Sequence, residues 1–381
     1  MVHPLHIPCT LPVNLLEGLS IHGMALSVLA GIRPGAVLTD DPDTPGAIFV
    51  AAPEGTFAWL YLAGDPTSTA FLSAIRQWVF DESGLGDDVG FAFLACDSEA
   101  WREHVPSLIE PRLMIPDRRL HYICTNPPSH PRTCADEYTI QPLDRELLAS
   151  KIQIPQAISR WLDANFGSQE GFLDHGFGAV AIHQGAAVAW CLTDSVGKTS
   201  CDIGVETEDP HRKRGLASAL TSMVLNDAFS RGLQQVGWHC HAINIPSVRT
   251  AERAGFSLAR EYELYPIHFD VEKHRRLVSV VAAEFAEDAR AALDRGDAAS
   301  ANQLCTDALA FVAEDDAELL VLAARAAAAC GETDRAWGHV KRAVASGWIA
   351  PRPGEGPAEF GGLMQDPRWQ QLIMSERSTV D

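Results

Sequence analysis

One short basic segment, residues 211–217, constrains the fold of this chain more than any other stretch. It reads His-Arg-Lys-Arg-Gly-Leu-Ala and joins two different periodicities. Before it, residues 200–207 alternate apolar and acidic side chains, which predicts a β-strand. After it, leucine and valine recur at helical spacing, which predicts a helix over residues 216–231. The chain therefore has to place a basic, glycine-containing turn between a strand and a helix.

The three positive charges of this turn indicate an anion-binding site. A helix N-terminus already carries about half a positive charge, so Arg212, Lys213 and Arg214 are unfavourable there unless an anion is bound. The unpaired N–H groups of the first helical turn would face the same anion. Gly215 would let the anion approach the backbone, because no β-carbon intervenes. The alternative is a solvated surface turn, and this segment alone does not separate the two.

Later motifs favour the anion site. A predicted strand over residues 236–242 leads to Asn244, and Gly255-Phe256 follows. Together with Arg212-x-x-Gly215-x-Ala217, this ordered set resembles the GNAT superfamily of acetyl-CoA-dependent N-acetyltransferases, whose pyrophosphate loop has the pattern (Gln/Arg)-x-x-Gly-x-(Gly/Ala). The resemblance covers residues 130–265 and extends more faintly over residues 10–125. Upstream elements resemble the branch that protects producers of amine antibiotics: Trp161, Phe172-Leu173, Gly176-Phe177-Gly178 and Ile203-Gly204.

The resemblance implies an α/β (α+β) chain with the GNAT acyl-CoA N-acyltransferase fold and acetyl-CoA as co-substrate. In that fold two central strands splay apart, and the pantetheine arm hydrogen-bonds to the exposed strand backbone. The predicted cofactor-binding residues belong to the strand end, the pyrophosphate loop and the asparagine motif: Val205, Glu206, Thr207, Arg212, Lys213, Arg214, Gly215, Leu216, Ala217, Asn244 and Ser247.

Acetyl transfer to an amine needs a group that removes a proton from the amine and a group that protonates the leaving thiolate. Asp202 lies near the position where many family members carry a strand glutamate, and Glu206 lies on the same strand face. Either is a candidate base acting through a water. The family usually has a tyrosine four residues before its Gly-Phe pair, where this chain has Ala251. Tyr262 is the nearest substitute for the acid, and Tyr265 is the next.

These candidates also have ordinary structural interpretations. The two carboxylates can serve only to bind solvent or acceptor charge, and a tyrosine at a strand start is usually a packing residue. His239 and His241 project from one face of their strand, because side chains repeat every second residue. They are alternatives for the base or for acceptor contacts, although polar residues on a half-exposed strand are the favoured interpretation.

Residues 1–130 predict an N-terminal α/β domain without clustered acid–base residues. Its β-β-α-β order and the fainter resemblance favour a degenerate GNAT-like half domain that packs on, or forms a wall of, the acceptor site. Proline-rich residues 126–131 predict a linker to the GNAT domain at residues 131–270. The predicted N-terminal elements are strands over residues 47–51 and 56–63, a helix over 67–80 and a strand over 91–95.

Residues 275–381 predict an all-α helical repeat domain. Three small residues recur at one spacing, since Gly331 follows Gly296 by 35 positions (331 minus 296), and the alanines at 301 and 308 recur at 336 and 343 in the same way. A period near ~34 is typical of tetratricopeptide (TPR) repeats. Two repeats are few for an independent groove, so packing on the enzyme is favoured over the alternative, a protein partner bound through this TPR-like domain.

Charge and cysteine content argue against several classes of protein. The net charge of -20 argues against nucleic-acid binding, which needs a basic face, and favours a cationic small molecule. The nine cysteines are scattered without a Cys-x-x-Cys pair, and His3, His6 and His22 are unclustered, so no disulfide framework and no metal are predicted. No signal sequence and no apolar run of about 18 residues is found, so we expect a cytoplasmic protein without a membrane partner.

The sequence therefore predicts an acetyl-CoA-dependent N-acetyltransferase. It would transfer acetyl to a primary amine of a small cationic molecule by direct attack on the thioester. Two alternatives stay open: a non-catalytic acyl-CoA-binding sensor, motivated by the missing family tyrosine, and a TPR adaptor protein.

Overall fold

A computed structural model describes residues 3–5, 11–82, 84–128, 133–311, 316–352 and 360–377. His6 and residues 129–131 of the predicted linker lie outside the described residues. The chain divides into two compact units. The first comprises Met1–Glu110 and Pro116–Phe269, and the second comprises Pro111–Ile115 and Asp270–Asp381.

The first unit is built on one mixed sheet of 12 described strands. In space they follow the order β1-β2-β3-β4-β5-β12-β6-β11-β10-β9-β8-β7. The strands are β1 (His3–Pro4), β2 (Ala36–Thr39), β3 (Ala47–Glu54), β4 (Phe57–Gly64), β5 (Phe91–Cys96), β6 (Asp117–Cys124), β7 (Thr139–Pro142), β8 (Gly178–His183), β9 (Ala186–Val196), β10 (Ser200–Thr207), β11 (Gln235–His241) and β12 (Ser257–His268).

Nine described α-helices and two 3-10 turns, Glu99–Glu103 and Asp209–His211, accompany this sheet. The helices are α1 (Val13–Gly18), α2 (Gly23–Leu29), α3 (Thr69–Phe80), α4 (Val105–Ile109), α5 (Arg145–Leu148), α6 (Gln156–Phe166), α7 (Gln169–His175), α8 (Leu216–Ser230) and α9 (Ile245–Arg253).

The predicted strands and helices of this unit are confirmed, with shifts of a few residues at their ends. β3, β4, α3 and β5 follow the predicted β-β-α-β order. β8 and β9 form a hairpin, and its turn residues Gln184 and Gly185 have φ angles of 49° and 85°, as a tight two-residue turn requires. The apolar face of α8 is buried in the same core as Val236 and Trp238 of β11. That packing fixes the start of α8 relative to the sheet.

The sheet runs without interruption through the predicted boundary at residue 130. β5 pairs with β12, and β6 lies between β12 and β11, so strands from before and after residue 130 alternate at the centre. The division of this unit into domains 1–130 and 131–270 stays a prediction. Because neighbouring strands are hydrogen-bonded, side chains from both segments are brought to one face at the centre of the sheet.

The second unit consists of helices. α10 (Val271–Asp294) and α11 (Ala298–Phe311) precede α12 (Ala317–Ala329) and α13 (Thr333–Ala345), and the short helices α14 (Gly361–Met364) and α15 (Pro367–Arg377) follow. Gly296 and Gly331 have φ angles of 78° and 79° just past α10 and α12, where a helix commonly ends in a left-handed residue. The four repeated alanines are fully buried: Ala301, Ala308, Ala336 and Ala343.

An all-α second unit is consistent with the predicted fold class, and its two helix pairs have the predicted 35-residue relation. The TPR assignment, the boundary at residue 275 and a protein partner stay predictions. Within the described ranges, no helix is both long enough and apolar enough to span a membrane.

Candidate active site

The site lies where two parallel strands of the sheet part. β10 pairs with β11 over three residues, ending at Asp202 opposite Gly237. In the described part of the chain, β10 then continues to Thr207 paired with β9 alone. Its backbone beyond Asp202 therefore has polar groups on the β11 side that another molecule can pair with. A cavity of about 330 Å³ opens beside these strands.

Five predicted site residues line this cavity: Asp202, Val205, Asn244, Ser247 and Tyr262. Side chains and backbone from the first 130 residues form another part of its wall, among them His22, Gly23, Glu54, Trp59, Tyr61 and Arg119.

The Asp202 carboxylate is tightly enclosed. Ser195 Oγ donates a hydrogen bond of 3.0 Å to its Oδ2. Gly23 and Gly237 pack so closely that a β-carbon on either would overlap the carboxylate. Burial raises the pKa of Asp202 to about 6, although the hydrogen bond from Ser195 acts in the opposite direction. Asp202 is therefore mostly ionised at neutral pH and has a pKa suited to accepting a proton.

His239 lies between Asp202 and Tyr262 in the lining of the cavity. His239 Nδ1 lies 3.0 Å from the Tyr262 hydroxyl, and its Nε2 lies 3.9 Å from Asp202 Oδ1. Burial, reinforced by nearby His121, holds the pKa of His239 well below its usual value, so the ring is neutral. If the phenol donates to Nδ1, the ring proton is on Nε2 and faces Asp202. Burial raises the pKa of Tyr262, so the phenol keeps its proton.

The other strand histidines complete this polar cluster. The His121 ring stacks on His239 with centroids 4.2 Å apart, and burial lowers the pKa of His121 to about 4. His241 Nδ1 lies 2.6 Å from Asp117 Oδ2 at the cavity rim. His121, Asp202 and His239 have ligand atoms within 4.8 Å of one another, although the parallel stacking of the two rings does not aim them at one ion.

The predicted pyrophosphate loop has the backbone that an anion site requires. Gly215 has a φ angle of 82° and caps α8, and no described side chain caps this helix end. The first helical hydrogen bond runs from Ala219 N to Gly215 O, which leaves the preceding N–H groups without intrahelical partners. Lys213 also has a positive φ, of 62°. This arrangement presents backbone donors at the positive end of a 15-residue helix.

Two of the loop cations are paired within the chain. Arg212 contacts Asp209 at 2.8 Å and donates from Nε to the Thr207 carbonyl, while Arg214 contacts Glu137 at 2.7 Å. All these ion-paired side chains are largely exposed, so each pair contributes little and can exchange for a phosphate.

The later asparagine motif begins a helix. Asn244 Oδ1 accepts a hydrogen bond from Ser247 N, which caps α9. Ser247 Oγ in turn accepts one from Trp238 Nε1 at 3.0 Å. Ala251, which stands where the family usually has a tyrosine, is fully buried in the core. Tyr262 instead brings a hydroxyl into the cavity.

The remaining predicted residues lie outside the cavity lining. Glu206 is exposed on β10, and Thr207 is half-buried at the end of the same strand. The roles of Glu206 as base and of both residues in cofactor binding stay predictions. Leu216 is buried and Ala217 half-buried at the start of α8, where their backbone N–H groups, rather than their side chains, face the loop.

Sequence reasoning missed several residues of the cavity. Asp194, Glu54 and Arg119 line it without having been predicted, and His22 was expected to lie apart from any site. One signal was available for Asp194, because it is the one charged residue of strand β9. No sequence pattern identified the others, since the sheet pairing alone brings them to Asp202.

Comparisons with known proteins give one family. The sequence model of the family described as GNAT acetyltransferase matches residues 15–265 of the 381. No curated protein matches the chain.

The chain was also compared with solved structures, and three of the matches follow, each with a TM-score below 0.5. A GCN5-related N-acetyltransferase-like protein from Streptococcus suis has 21% identity and a TM-score of 0.49, covering 66% of this chain and 96% of its own. A GCN5-related N-acetyltransferase from Sphaerobacter thermophilus has 15% identity and a TM-score of 0.46, covering 71% and 95%. A tandem GNAT protein from the clavulanic acid biosynthesis pathway has 10% identity and a TM-score of 0.48, covering 71% and 98%.

Proposed function

Because the chain belongs to the GNAT acetyltransferase family and is thus an acyl-CoA-dependent N-acetyltransferase, we propose that it transfers acetyl from acetyl-CoA to a primary amine of a small cationic molecule. The observation that carries the proposal is the parting of β10 and β11 beside Asp202. It puts an open strand edge, a carboxylate and a phenol around one cavity. A cytoplasmic location stays a prediction.

The cofactor would lie along β10 and over the start of α8. The pantetheine arm would pair with the open edge of β10 near Val205, and the pyrophosphate would accept hydrogen bonds from the N–H groups around Gly215. Arg212, Lys213 and Arg214 would balance its charge. Asn244 and Ser247 line the same cavity and would flank the arm. These residues hold the thioester beside Asp202, which supplies proximity.

The reaction forms a C–N bond and breaks the C–S bond of the thioester. The acceptor ammonium first gives a proton to Asp202, directly or through a water, and the neutral nitrogen attacks the carbonyl carbon. The nitrogen loses a second proton as the intermediate collapses. The departing thiolate takes a proton from Tyr262, which regains one from the nitrogen through solvent. Both protons are then accounted for, one on Asp202 and one on the CoA thiol.

His239 positions the acid and is not itself required to titrate. Its low pKa keeps the ring neutral, and Nδ1 holds the Tyr262 hydroxyl 3.0 Å away. Nε2 lies 3.9 Å from Asp202 Oδ1, and the neutral ring gives the carboxylate no cationic partner. This arrangement supports Tyr262 as the acid in place of the tyrosine that the family usually has at residue 251.

The acceptor is expected to be cationic because the cavity is acidic. Three carboxyl groups, Glu54, Asp194 and Asp202, and one guanidinium, Arg119, line it; Glu54 is paired with the buried Arg33, which leaves Asp202 and Asp194 for the acceptor. Aromatic walls from Trp59 and other rings also favour a cation. Affinity for the acceptor should weaken with added salt, since charges are screened over about 8 to 10 Å at physiological ionic strength.

Release of free CoA thiol from acetyl-CoA, measured with a panel of primary amines, tests the proposal. We expect acceleration by cationic amines and much less by amines that also carry a carboxylate. Asp202→Asn is the inactive control, and Asp163→Asn, an exposed change on α6, is the matched charge control. If no amine raises thiol release above the amine-free rate, or if only anionic acceptors react, the proposal is wrong.

A further inference from the structure

A β-bulge places a second carboxylate beside the reacting one. Asp202 pairs with Ser195 and Ile203 pairs with Thr193, so Asp194 is an extra residue on β9. A bulge leaves its extra residue outside the regular pairing and redirects its side chain. Here the side chain lines the same cavity as Asp202.

Asp194 differs from the other carboxylates of the cavity in having no partner among the described residues. Glu54 is paired with the buried Arg33 at 3.0 Å and accepts a hydrogen bond from Trp59 Nε1 at 3.1 Å. Asp202 accepts its hydrogen bond from Ser195. Arg119, the guanidinium of the lining, stands over the Trp59 ring, 5.9 Å from its centroid. Within the described part of the chain, Asp194 therefore has no direct counter-ion, and Arg33 and Arg119 favour its ionised form only at longer range.

The Trp161 ring packs over Gly204 and lines the cavity together with Asp194. Gly204 lies beside it, and a β-carbon there would be 3.2 Å from Asp194 Oδ2 and would overlap the Trp161 ring. Trp161 is fixed by a hydrogen bond of 3.1 Å from its Nε1 to the Thr193 carbonyl. An aromatic ring and a carboxylate thus face one space, a combination that suits an organic cation.

We propose that Asp194 binds a second positively charged group of the acceptor, so that the preferred substrates are dicationic amines with one ammonium at Asp202 and another ammonium or guanidinium at Asp194. This inference rests on the proposed function. It makes Asp194 a specificity-determining residue rather than a catalytic residue, because the group that it holds does not react.

The electrostatics of the cavity agree with this role. Burial, with the nearby charges of Asp202 and Glu54, raises the pKa of Asp194 to about 8. The Asp194 carboxyl is therefore mostly protonated at neutral pH in the free enzyme, and a cation bound beside it would favour the ionised form. A ligand group that supplies one positive charge at this point gains more here than at an exposed carboxylate.

The strand geometry sets the length of the acceptor. Asp202 pairs with Ser195, the residue next to Asp194, so the two carboxyl groups are separated on the scale of neighbours across paired strands, about 5 to 8 Å. A chain of three to five methylene groups spans roughly that distance between two ammonium groups. The probes are therefore 1,4-diaminobutane and, as its matched neutral-ended partner, 4-amino-1-butanol.

The decisive measurement is the dissociation constant of each probe for the full-length enzyme saturated with CoA, by calorimetry. CoA fills the cofactor site without permitting turnover. We expect the diamine to bind roughly 10- to 100-fold more tightly than the amino alcohol, as for a hydrogen bond between charged groups. Asp194→Asn should bring the ratio close to one, while Asp194→Glu should retain part of it. Asp163→Asn removes the same charge outside the cavity and should leave the ratio as in the wild type.

Thermal melts establish that each variant is folded. The ratio of the two dissociation constants in the wild-type enzyme tests the inference without any variant. Equal dissociation constants for the two probes, no binding of either, or an undiminished ratio in folded Asp194→Asn would each overturn the inference. The proposed function can fail independently of the second subsite. An enzyme that prefers the diamine but never acetylates it retains the second subsite and loses the activity, whereas one that acetylates both probes equally loses only the subsite.

Discussion

Gly215 offers the sharpest test of the cofactor site. It begins α8 with a φ angle of 82°, and a β-carbon there would have Thr133 O at 3.4 Å as its nearest contact. That distance is ordinary van der Waals contact, so Gly215→Ala is accommodated sterically. Its cost is the left-handed backbone, about 1 to 2 kcal/mol of stability. Gly215→Asp should cost no more, because aspartate visits this conformation more readily and suits a helix N-terminus.

The two variants should differ in cofactor affinity. An aspartate at residue 215 puts a negative charge about 4 Å from the expected pyrophosphate, which opposes binding by about 1 kcal/mol at the dielectric constant of water and about 4 kcal/mol at that of a protein surface. Gly215 is exposed, so the lower part of this range applies. We expect acetyl-CoA affinity to fall roughly 10- to 100-fold for Gly215→Asp and only a few-fold for Gly215→Ala.

Calorimetry with acetyl-CoA, beside thermal melts, measures both effects. Gly232→Asp is the matched control, since Gly232 has a φ angle of 87° and open space around its α-carbon at the opposite end of α8. It adds the same charge roughly 25 Å away and should leave affinity unchanged. Wild-type affinity in a folded Gly215→Asp variant would remove this loop from the cofactor site.

Three further predictions concern catalysis and the second unit. Because burial raises the pKa of Asp202 to about 6, kcat/KM for the acceptor should fall about tenfold per pH unit below pH 6, where the carboxylate is protonated. The Asp202→Asn variant should lack this inflection of the pH profile and should react roughly 10²- to 10⁴-fold more slowly. If the inflection persists in the variant, Asp202 is not the base. Tyr262→Phe should lower kcat with little change in acetyl-CoA affinity, and an unchanged kcat would show that solvent protonates the thiolate. A chain ending at Phe269 should still bind acetyl-CoA. It should melt at a lower temperature, because Ile115 no longer packs against Val278 and loses a burial worth about 1.5 to 3 kcal/mol. A folded truncated chain that does not bind acetyl-CoA would contradict the predicted boundary.

The spacing of residues along the chain was sufficient to predict most of the strands and helices around the site. Alternation over residues 200–207 and helical spacing after Gly215 predicted β10 and α8, and the turn between them was expected to present backbone donors. The hairpin through Gln184 and Gly185 was equally predictable, because a two-residue turn of this type needs residues that accept positive φ angles. These features depend on residues that are neighbours along the chain.

The residue that protonates the leaving thiolate could be predicted from the sequence only in part. Ala251 in place of the family tyrosine left Tyr262 as a candidate by proximity in sequence. Tyr262 reaches His239 because β6 alone lies between β11 and β12, so that side chains of these two strands share a face. No periodicity within β12 contains that information.

The sequence by itself determined the strand, the basic loop and the helix that form the expected pyrophosphate site, since each follows from side-chain spacing and backbone preference over a few residues. The tertiary structure alone decided which groups surround Asp202. Gly23 and Glu54 come from more than 140 positions earlier in the chain, and the bulge at Asp194 appears only once β9 and β10 are paired. The physical reason is that a binding cavity is defined by non-local hydrogen-bonded pairing, whereas the patterns that a sequence displays are local.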